Sequence, residues 1–185
     1  MRIIGGSLRG TALASVGKGD KAAHLRPTTD RVRESLFNLL AHGDYPPIEG
    51  VRVLDLFAGT GALGFEALSR GAARALFVDD GVKSRALLRE NTDKLRMIGQ
   101  SKIYRRDATR MGENRGDAYD LVFLDPPYGK GLGEKALVSC EKGGWLAEGA
   151  LVIWEENAAM AAPNGYAMKD QRKYGDTTIT ILQKL

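Results

Sequence analysis

Cysteine and histidine are nearly missing from this chain of 185 residues: Cys140 stands alone, and His24 and His42 are the two histidines. One cysteine closes no internal disulfide, and isolated histidines give no metal-ligand spacing. Neither a disulfide scaffold nor a bound metal is expected. Ser139 and Glu141 beside Cys140 do nothing to lower a thiol pKa, so Cys140 reads as a packing residue. Long hydrophobic runs are missing too. No stretch approaches the ~18 apolar residues that cross a bilayer. Met1-Arg2-Ile3-Ile4 runs into Gly5-Gly6 without the apolar segment of a secretory signal. A membrane role is not expected, and the cytoplasm is the default location. Internal repeats and low-complexity tracts are absent. What remains is one domain over residues 1–185, with 43% hydrophobic residues to build a core and an ordinary 27% charged.

Charge is present in plenty but unevenly. The net charge of +4 is already reached within residues 1–26, where Arg2, Arg9, Lys18, Lys21 and Arg26 face Asp20 alone. Residues 1–25 therefore read as a basic N-terminal extension ahead of a core over 26–185. A second excess lies between Lys83 and Arg115, with ten basic residues against four acidic. Clustered cations of this kind suit a phosphate backbone, and equally suit a solvated helix face.

The pattern along the chain alternates. Ile3-Ile4, Gly5-Gly6 and the stretch to Leu13 suggest a short hairpin, and residues 17–23 a loop. Thr28, Thr29 and Asp30 offer capping oxygens to a helix with Val32, Leu36, Leu39 and Leu40 as its apolar stripe. Strands are expected over 51–57, 75–78, 102–105, 119–124 and 150–154. Helices are expected over 62–70 and 83–98, the latter with Leu87, Leu88, Asn91, Leu95 and Ile98 on one side, and near 133–140. A final hairpin over 166–174 and 177–182 turns at Gly175-Asp176. Alternating strands and helices make an α/β fold with a mostly parallel sheet. Ligands of such sheets sit beyond the carboxyl ends of the strands.

Those strand ends carry the chemistry. Val53-Leu54-Asp55-Leu56-Phe57-Ala58 leads into Gly59-Thr60-Gly61-Ala62-Leu63-Gly64, a G-x-G-x-x-G loop that fits dinucleotide enzymes and methyltransferases alike. Asp55 separates the two. A carboxylate ahead of the loop repels a pyrophosphate and suits a ligand with an ammonium and a sulfonium, which is S-adenosylmethionine. Asp79 or its neighbour Asp80, at the next strand end, is placed to accept from ribose hydroxyls. Asp107, at the third, is placed to accept from an adenine amino group. The fourth strand ends in Asp125-Pro126-Pro127-Tyr128. An exocyclic base amine is a poor nucleophile until acceptors take its N–H groups and let nitrogen pyramidalise. An ionised Asp accepts only, a proline pair makes a rigid turn without N–H donors, and a tyrosine can stack on a base withdrawn from its helix. This is catalysis by positioning and electrostatics.

Five segments together resemble a known family. They are Arg26-Pro27-Thr28, Asp30-Arg31-Val32-Arg33-Glu34, Leu36-Phe37-Asn38, Leu54-Asp55-Leu56-Phe57-Ala58-Gly59-Thr60-Gly61 and Asp125-Pro126-Pro127-Tyr128, and they look like the RsmD family. The opening Arg2-Ile3-Ile4-Gly5-Gly6-Ser7-Leu8-Arg9-Gly10 and the late Tyr174-Gly175-Asp176-Thr177 are similar too. The family's enzymes are bacterial guanine-N2 methyltransferases acting on small-subunit (16S) ribosomal RNA. The resemblance implies the class I S-adenosylmethionine-dependent methyltransferase fold, Rossmann-like, a seven-stranded sheet whose last strand is antiparallel. It implies that Asp55, Gly59, Gly61, Asp79 and Asp107 line the cofactor and that Asp125, Pro126 and Tyr128 meet the guanine amine. It also implies an N-terminal hairpin that helps hold ribosomal RNA, with Arg2, Arg9 and Arg26 as its cations. The partner is then 16S ribosomal RNA in an assembling or assembled small subunit, met by a monomer. Many family members have Glu where this chain has Asp79.

Other classes compete with this reading. The Asp-Pro-Pro-Tyr motif also serves DNA adenine-N6 and cytosine-N4 methyltransferases, but those usually need an added recognition segment, and only about 25 residues here lie outside the core. That economy suits a substrate whose own shape supplies specificity. A non-catalytic RNA-binding assembly factor would not need every site residue. An NAD-dependent oxidoreductase is opposed by Asp55 and the proline turn.

Overall fold

The computed structural model describes residues 1–16 and 28–185. Arg26, expected to contact RNA, lies outside the described residues, as does the loop expected over 17–23. The helices are α1 (Asp30–His42), α2 (Ala62–Ser69), α3 (Val82–Lys94) and α4 (Leu132–Gly143). The strands are β1 (Arg52–Leu56), β2 (Arg74–Val78), β3 (Ser101–Tyr104), β4 (Tyr119–Leu124), β5 (Leu146–Glu156), β6 (Tyr166–Tyr174) and β7 (Thr177–Lys184). They form one sheet in the order β3-β2-β1-β4-β5-β7-β6. β1 to β5 pair in parallel, and β7 runs antiparallel between β5 and β6. This is the class I methyltransferase fold expected from the sequence. Chain order reverses between β1 and β4, which opens a crevice beyond their carboxyl ends.

Strand alternation sorts the core into two layers. Val53, Phe77, Phe123 and Ile153 face α1, α2 and α3, while Leu54, Val78, Val122 and Trp154 face α4. α1 starts where Thr29 Oγ1 accepts from the Val32 N–H at 3.3 Å, the capping role that three neighbouring residues had offered. The expected stripe of Val32, Leu36, Leu39 and Leu40 does pack on the core, but Arg33 and Phe37 join its centre. Arg33, Leu36, Phe37 and Leu40 are buried, whereas Val32 and Leu39 lie at the margin. The helix turns its charged Arg33 inward because Glu66 of α2 waits there, and both side chains are fully buried.

α2 is buried on all sides, Glu66 and Ser69 included. Its outer side is covered by the N-terminal segment. The expected hairpin there is one antiparallel bridge, Arg2↔Ala12, closed around a 3-10 turn at Gly6–Leu8. Backbone bonds Ile3 N–H to Thr11 O (2.9 Å) and Gly10 N–H to Ile3 O (2.8 Å) hold it, and Ile3 and Leu13 reach the core. Glu66 accepts the N–H groups of Ile4 and Gly5, each at 2.8 Å. Gly6 has φ +76, and a Cβ there would sit 1.9 Å from Ser69 O, so only glycine lets the segment lie this close to α2. Asn91 of α3 ties down the far end, accepting from Ala14 N–H (2.7 Å) and donating to Ala14 O (3.1 Å).

α3 stops before the 98 expected. Arg96 takes a left-handed φ of 55, its N–H bonds to Asp93 O, and the Met97 N–H bonds to Thr92 O. That is a Schellman closure with arginine at the position glycine usually takes. It buries Met97 and leaves Ile98 67% exposed.

Candidate active site

Two cavities compete in size. The larger, about 1170 Å³, lies along β2 and β3 and contains neither sequence motif. The smaller, about 760 Å³, opens at the carboxyl ends of β1 and β4 and is lined by both the glycine loop and the Asp-Pro-Pro-Tyr turn. The second is the candidate site, because groups 70 residues apart in sequence converge there by virtue of the parallel pairing of β1 with β4, Leu56 beside Leu124.

Asp55 points under α2, not into open solvent. Its Oδ2 accepts the Gly64 N–H at 3.0 Å, and it is 2% exposed. The third glycine of the loop makes this possible, since a Cβ on Gly64 would meet Phe77 at 2.4 Å and Asp55 Oδ2 at 2.9 Å. Burial, opposed by that one hydrogen bond and reinforced by Asp79, pushes the Asp55 carboxyl up to about 8. Gly59 and Gly61 adopt positive φ, and Gly61 caps α2. Phe57, a non-glycine residue at φ 57, turns the chain out of β1 and lines the cavity, a strained position of the kind that gathers at functional sites.

Asp79 is bound to the loop it faces. Its Oδ2 accepts from Gly59 N–H at 2.9 Å and its Oδ1 from Gly81 N–H at 2.8 Å, so one carboxylate staples the glycine loop to the start of α3. Asp80 also lines the cavity and is exposed. Asp107 does not line it. It is exposed, and its Oδ1 caps a 3-10 turn at Ala108–Arg110 by accepting from the Thr109 N–H (2.8 Å) and hydroxyl (2.7 Å). The structure thus brings Asp55, Gly59, Asp79, Asp125, Pro126 and Tyr128 to one cavity, sets Gly61 between the lining residues Thr60 and Ala62, and leaves Asp107 outside the lining.

Asp125 is half-buried and faces a crowd of carboxyls. Desolvation raises its pKa well above the usual carboxylate range, and Glu155, Asp55 and Glu156 raise it further against a hydrogen bond from Thr28. Glu155 and Glu156 end β5. Glu155 accepts from the hydroxyls of Thr28 (2.5 Å) and Tyr128 (2.6 Å), and Glu156 accepts from the Gly129 N–H at 3.0 Å. Tyr128 OH also lies 3.2 Å from Thr177 Oγ1. The phenol is therefore fixed at its tip, and burial with Glu155 beside it raises its pKa strongly. Sequence reading missed Thr28, Phe57, Glu155 and Glu156 as parts of this site. For the glutamates the signal was available: the rule of looking at strand ends finds them once β5 runs to Glu156 and not to Trp154.

Arg2 and Arg9 are exposed on the N-terminal segment. Arg2 lies 3.9 Å from Asp30, a loose surface pair. Met1 Sδ lies 3.5 Å from Thr60 Oγ1 and Asn91 donates to Thr60 O at 2.9 Å, so this segment abuts the back of the glycine loop.

A site made of a glycine loop, strand-end carboxylates and an Asp-Pro-Pro-Tyr turn on this sheet order has close counterparts among known proteins. The family model described as "Conserved hypothetical protein 95" matches residues 1–183. "Ribosomal RNA small subunit methyltransferase D" of Escherichia coli (strain K12) is 38% identical over 188 residues, covering 100% of this chain and 90% of that protein. "Putative rRNA methyltransferase YlbH" of Bacillus subtilis (strain 168) is 34% identical, with 100% and 99% covered. Among solved structures, "Putative methyltransferase yhhF from Escherichia coli" superposes with a TM-score of 0.82 at 36% identity, covering 100% of this chain and 97% of that one. Matched from residue 1 to residue 183, N-terminal segment, glycine loop and Asp-Pro-Pro-Tyr turn alike, the chain belongs to the RsmD family.

Proposed function

We propose that this protein transfers a methyl group from S-adenosylmethionine to the exocyclic N2 amine of a guanine in small-subunit (16S) ribosomal RNA. The carrying observation is that the glycine loop and Asp125-Pro126-Pro127-Tyr128 share one cavity of about 760 Å³ at the β1/β4 crevice. Relatives named as small-subunit rRNA methyltransferases, matched over the whole chain, support the RNA class of substrate.

The donor set fits the cofactor. Asp55 and Asp125 are carboxyls whose pKa values are raised by burial and by neighbouring carboxyls, Asp79 for the first and Glu155, Asp55 and Glu156 for the second, an environment that a cation relieves and an anion worsens. Gly59 and Gly61 give close backbone approach, and Asp79 holds the loop in place. Asp107 sits at the third strand end with Oδ1 engaged by Thr109, and its Oδ2 is assigned to the adenine amine. When bound, S-adenosylmethionine supplies an electrophilic methyl group on a sulfonium.

The chain's own residues prepare the amine. Asp125, ionised in the presence of the ligand's positive charge, accepts one N–H. A carbonyl of the Pro126-Pro127 turn accepts the other, and the lone pair is freed for attack. Tyr128, anchored through its hydroxyl to Glu155 and Thr177, offers its ring to the base face without rotating away. Asp125 then takes the proton released as the amine is alkylated. Arg2 and Arg9 on the neighbouring segment meet RNA phosphates, and Arg26 is assigned the same task from its sequence position.

The test is a mass-spectrometric nucleoside map of 16S ribosomal RNA from cells with and without the gene product, followed by transfer of labelled methyl to purified subunits. The expected result is one N2-methylguanosine lost and restored. Methyl transfer to duplex DNA without transfer to ribosomal RNA would overturn the assignment.

A further inference from the structure

The larger cavity carries no catalytic motif, yet its lining is strongly basic. β3 and β4 are parallel strands joined by residues 105–118, a connection that contains one 3-10 turn and no α-helix. Parallel crossovers usually carry a helix that covers the sheet. Here α4 is the single α-helix on its face among the described residues, and it packs against the β4 and β5 side. The same face of β2 and β3 is left as a trench of about 1170 Å³.

What fills the trench is charge. Arg52, Arg74, Lys102, Arg106, Arg110 and Arg115 line it, against the carboxylates of Glu113 and Asp117. Arg52 is neutralised in place, 3.1 Å from Asp117 and 3.5 Å from Asp120. Arg74, Lys102, Arg110 and Arg115 are exposed and in no ion pair among the described residues. The floor is rigid. Trp145 stacks on Tyr119 at 6.1 Å, meets Tyr104 edge-on at 6.3 Å, and donates its indole N–H to Gly112 O at 2.8 Å. Lys102 and Arg106 lie over the Tyr104 ring at 4.8 and 5.5 Å. Aromatics locked against one another do not offer faces to bases, so the trench suits a backbone and not a base.

We propose that this trench is a second RNA-binding surface, which grips the sugar–phosphate backbone of the substrate away from the methylated base. The inference rests on the functional reading above and adds to it the place where the RNA continues. Two observations select a polyanion over a small anion. The trench is larger than the ~300–1,000 Å³ of ordinary small-molecule sites. Its cations are also spread from the start of β2 at Arg74 to the turn at Arg110, not gathered on one point. Along β2 the trench reaches Leu76 and the catalytic cavity begins at Asp79, three residues or about 10 Å further on, so one folded RNA reaches both.

The test uses the full chain carrying Arg74→Gln, Lys102→Gln and Arg110→Gln, residues outside the catalytic cavity. Affinity for naked 16S ribosomal RNA is measured across salt concentrations, together with S-adenosylmethionine binding and methyl transfer to small subunits. Loss of three phosphate contacts lowers the slope of log K against log salt by about 2 and weakens binding about fifty-fold near 0.15 M salt. Cofactor affinity and turnover at saturating RNA stay as in the wild type, while KM for RNA rises. A triple variant with unchanged affinity and slope, beside a wild type that methylates RNA, overturns this inference and leaves the functional reading standing. Loss on intact subunits but not on naked RNA assigns the trench to an acidic protein partner and overturns it as well. A wild type that neither binds nor methylates the RNA overturns both.

Discussion

Glu66→Gln tests how the N-terminal segment, α1 and α2 are held together. The side chain is fully buried, and its two oxygens serve four donors. Oε2 takes the Ile4 N–H at 2.8 Å and Arg33 Nη1 at 3.4 Å; Oε1 takes the Gly5 N–H at 2.8 Å and Arg70 Nε at 2.9 Å. A glutamine must turn an NH2 toward one of these pairs, so two donors face a donor whichever way it flips. Arg33, itself fully buried, keeps only Asp30, whose side chain is 38% exposed. Desolvation already lowers the pKa of Arg33, and Asp30 and Glu66 are what oppose it. Removing one partner of such a pair costs about 3–5 kcal/mol. For a domain of this size, each kcal/mol moves the melting temperature by about 2–4 °C. The expected drop is therefore about 10 °C, read by circular dichroism on heating, with faster proteolysis ahead of residue 14. Replacing Glu66 and Arg33 together by leucine does not recover the loss, because the Ile4 and Gly5 N–H groups are then left without an acceptor. A shift below about 2 °C for Glu66→Gln would falsify the network as a source of stability.

Three further outcomes follow from the site. Asp125→Ala keeps cofactor affinity within a few-fold and lowers kcat by roughly 10²–10⁴; near wild-type kcat in single-turnover assays removes Asp125 from the chemistry. Gly64→Ala drives a methyl group into Phe77 and Asp55 and costs about 1–3 kcal/mol, measured by urea unfolding, whereas an unchanged midpoint means the close approach is not real. The Asp55 carboxyl titrates near 8 when folded against an ordinary 3.8. The native state thus holds a proton that the unfolded chain has released, and stability falls as pH climbs from about 4 to about 8 and levels off above. Asp55→Asn flattens that decline in melting temperature, and parallel curves for the two proteins refute it.

Much of this was legible in the sequence. β4 begins and ends where its apolar run does, and the β6–β7 turn falls at Gly175-Asp176 as composition indicated. The glycine loop and the Asp-Pro-Pro-Tyr turn were visible because each is contiguous. What escaped was mostly pairing across distance. Nothing local in Arg33 announces burial, since its reason is a glutamate 33 residues away. Helix α3 was overrun because its stop is a left-handed arginine, Arg96, at a position where glycine would have marked the end. Asp79 or Asp80 was read as a ribose acceptor, and the further role of Asp79 in bonding the Gly59 and Gly81 N–H groups was not foreseen. A strand tip fixes where a carboxylate is, and only the folded backbone fixes what it bonds to.

The anchoring of the first 14 residues also sets an order in time. Their backbone partners, Glu66, Ser69 and Asn91, lie 61 to 77 residues further on. At synthesis rates of ~5–20 residues per second, the N-terminus has emerged for several seconds before any of these exists to receive it. Contacts of such separation close late. This segment is thus made before everything it docks on, and the glycine loop that Asn91 braces through Thr60 gains its backing only when the segment closes onto residues made after it.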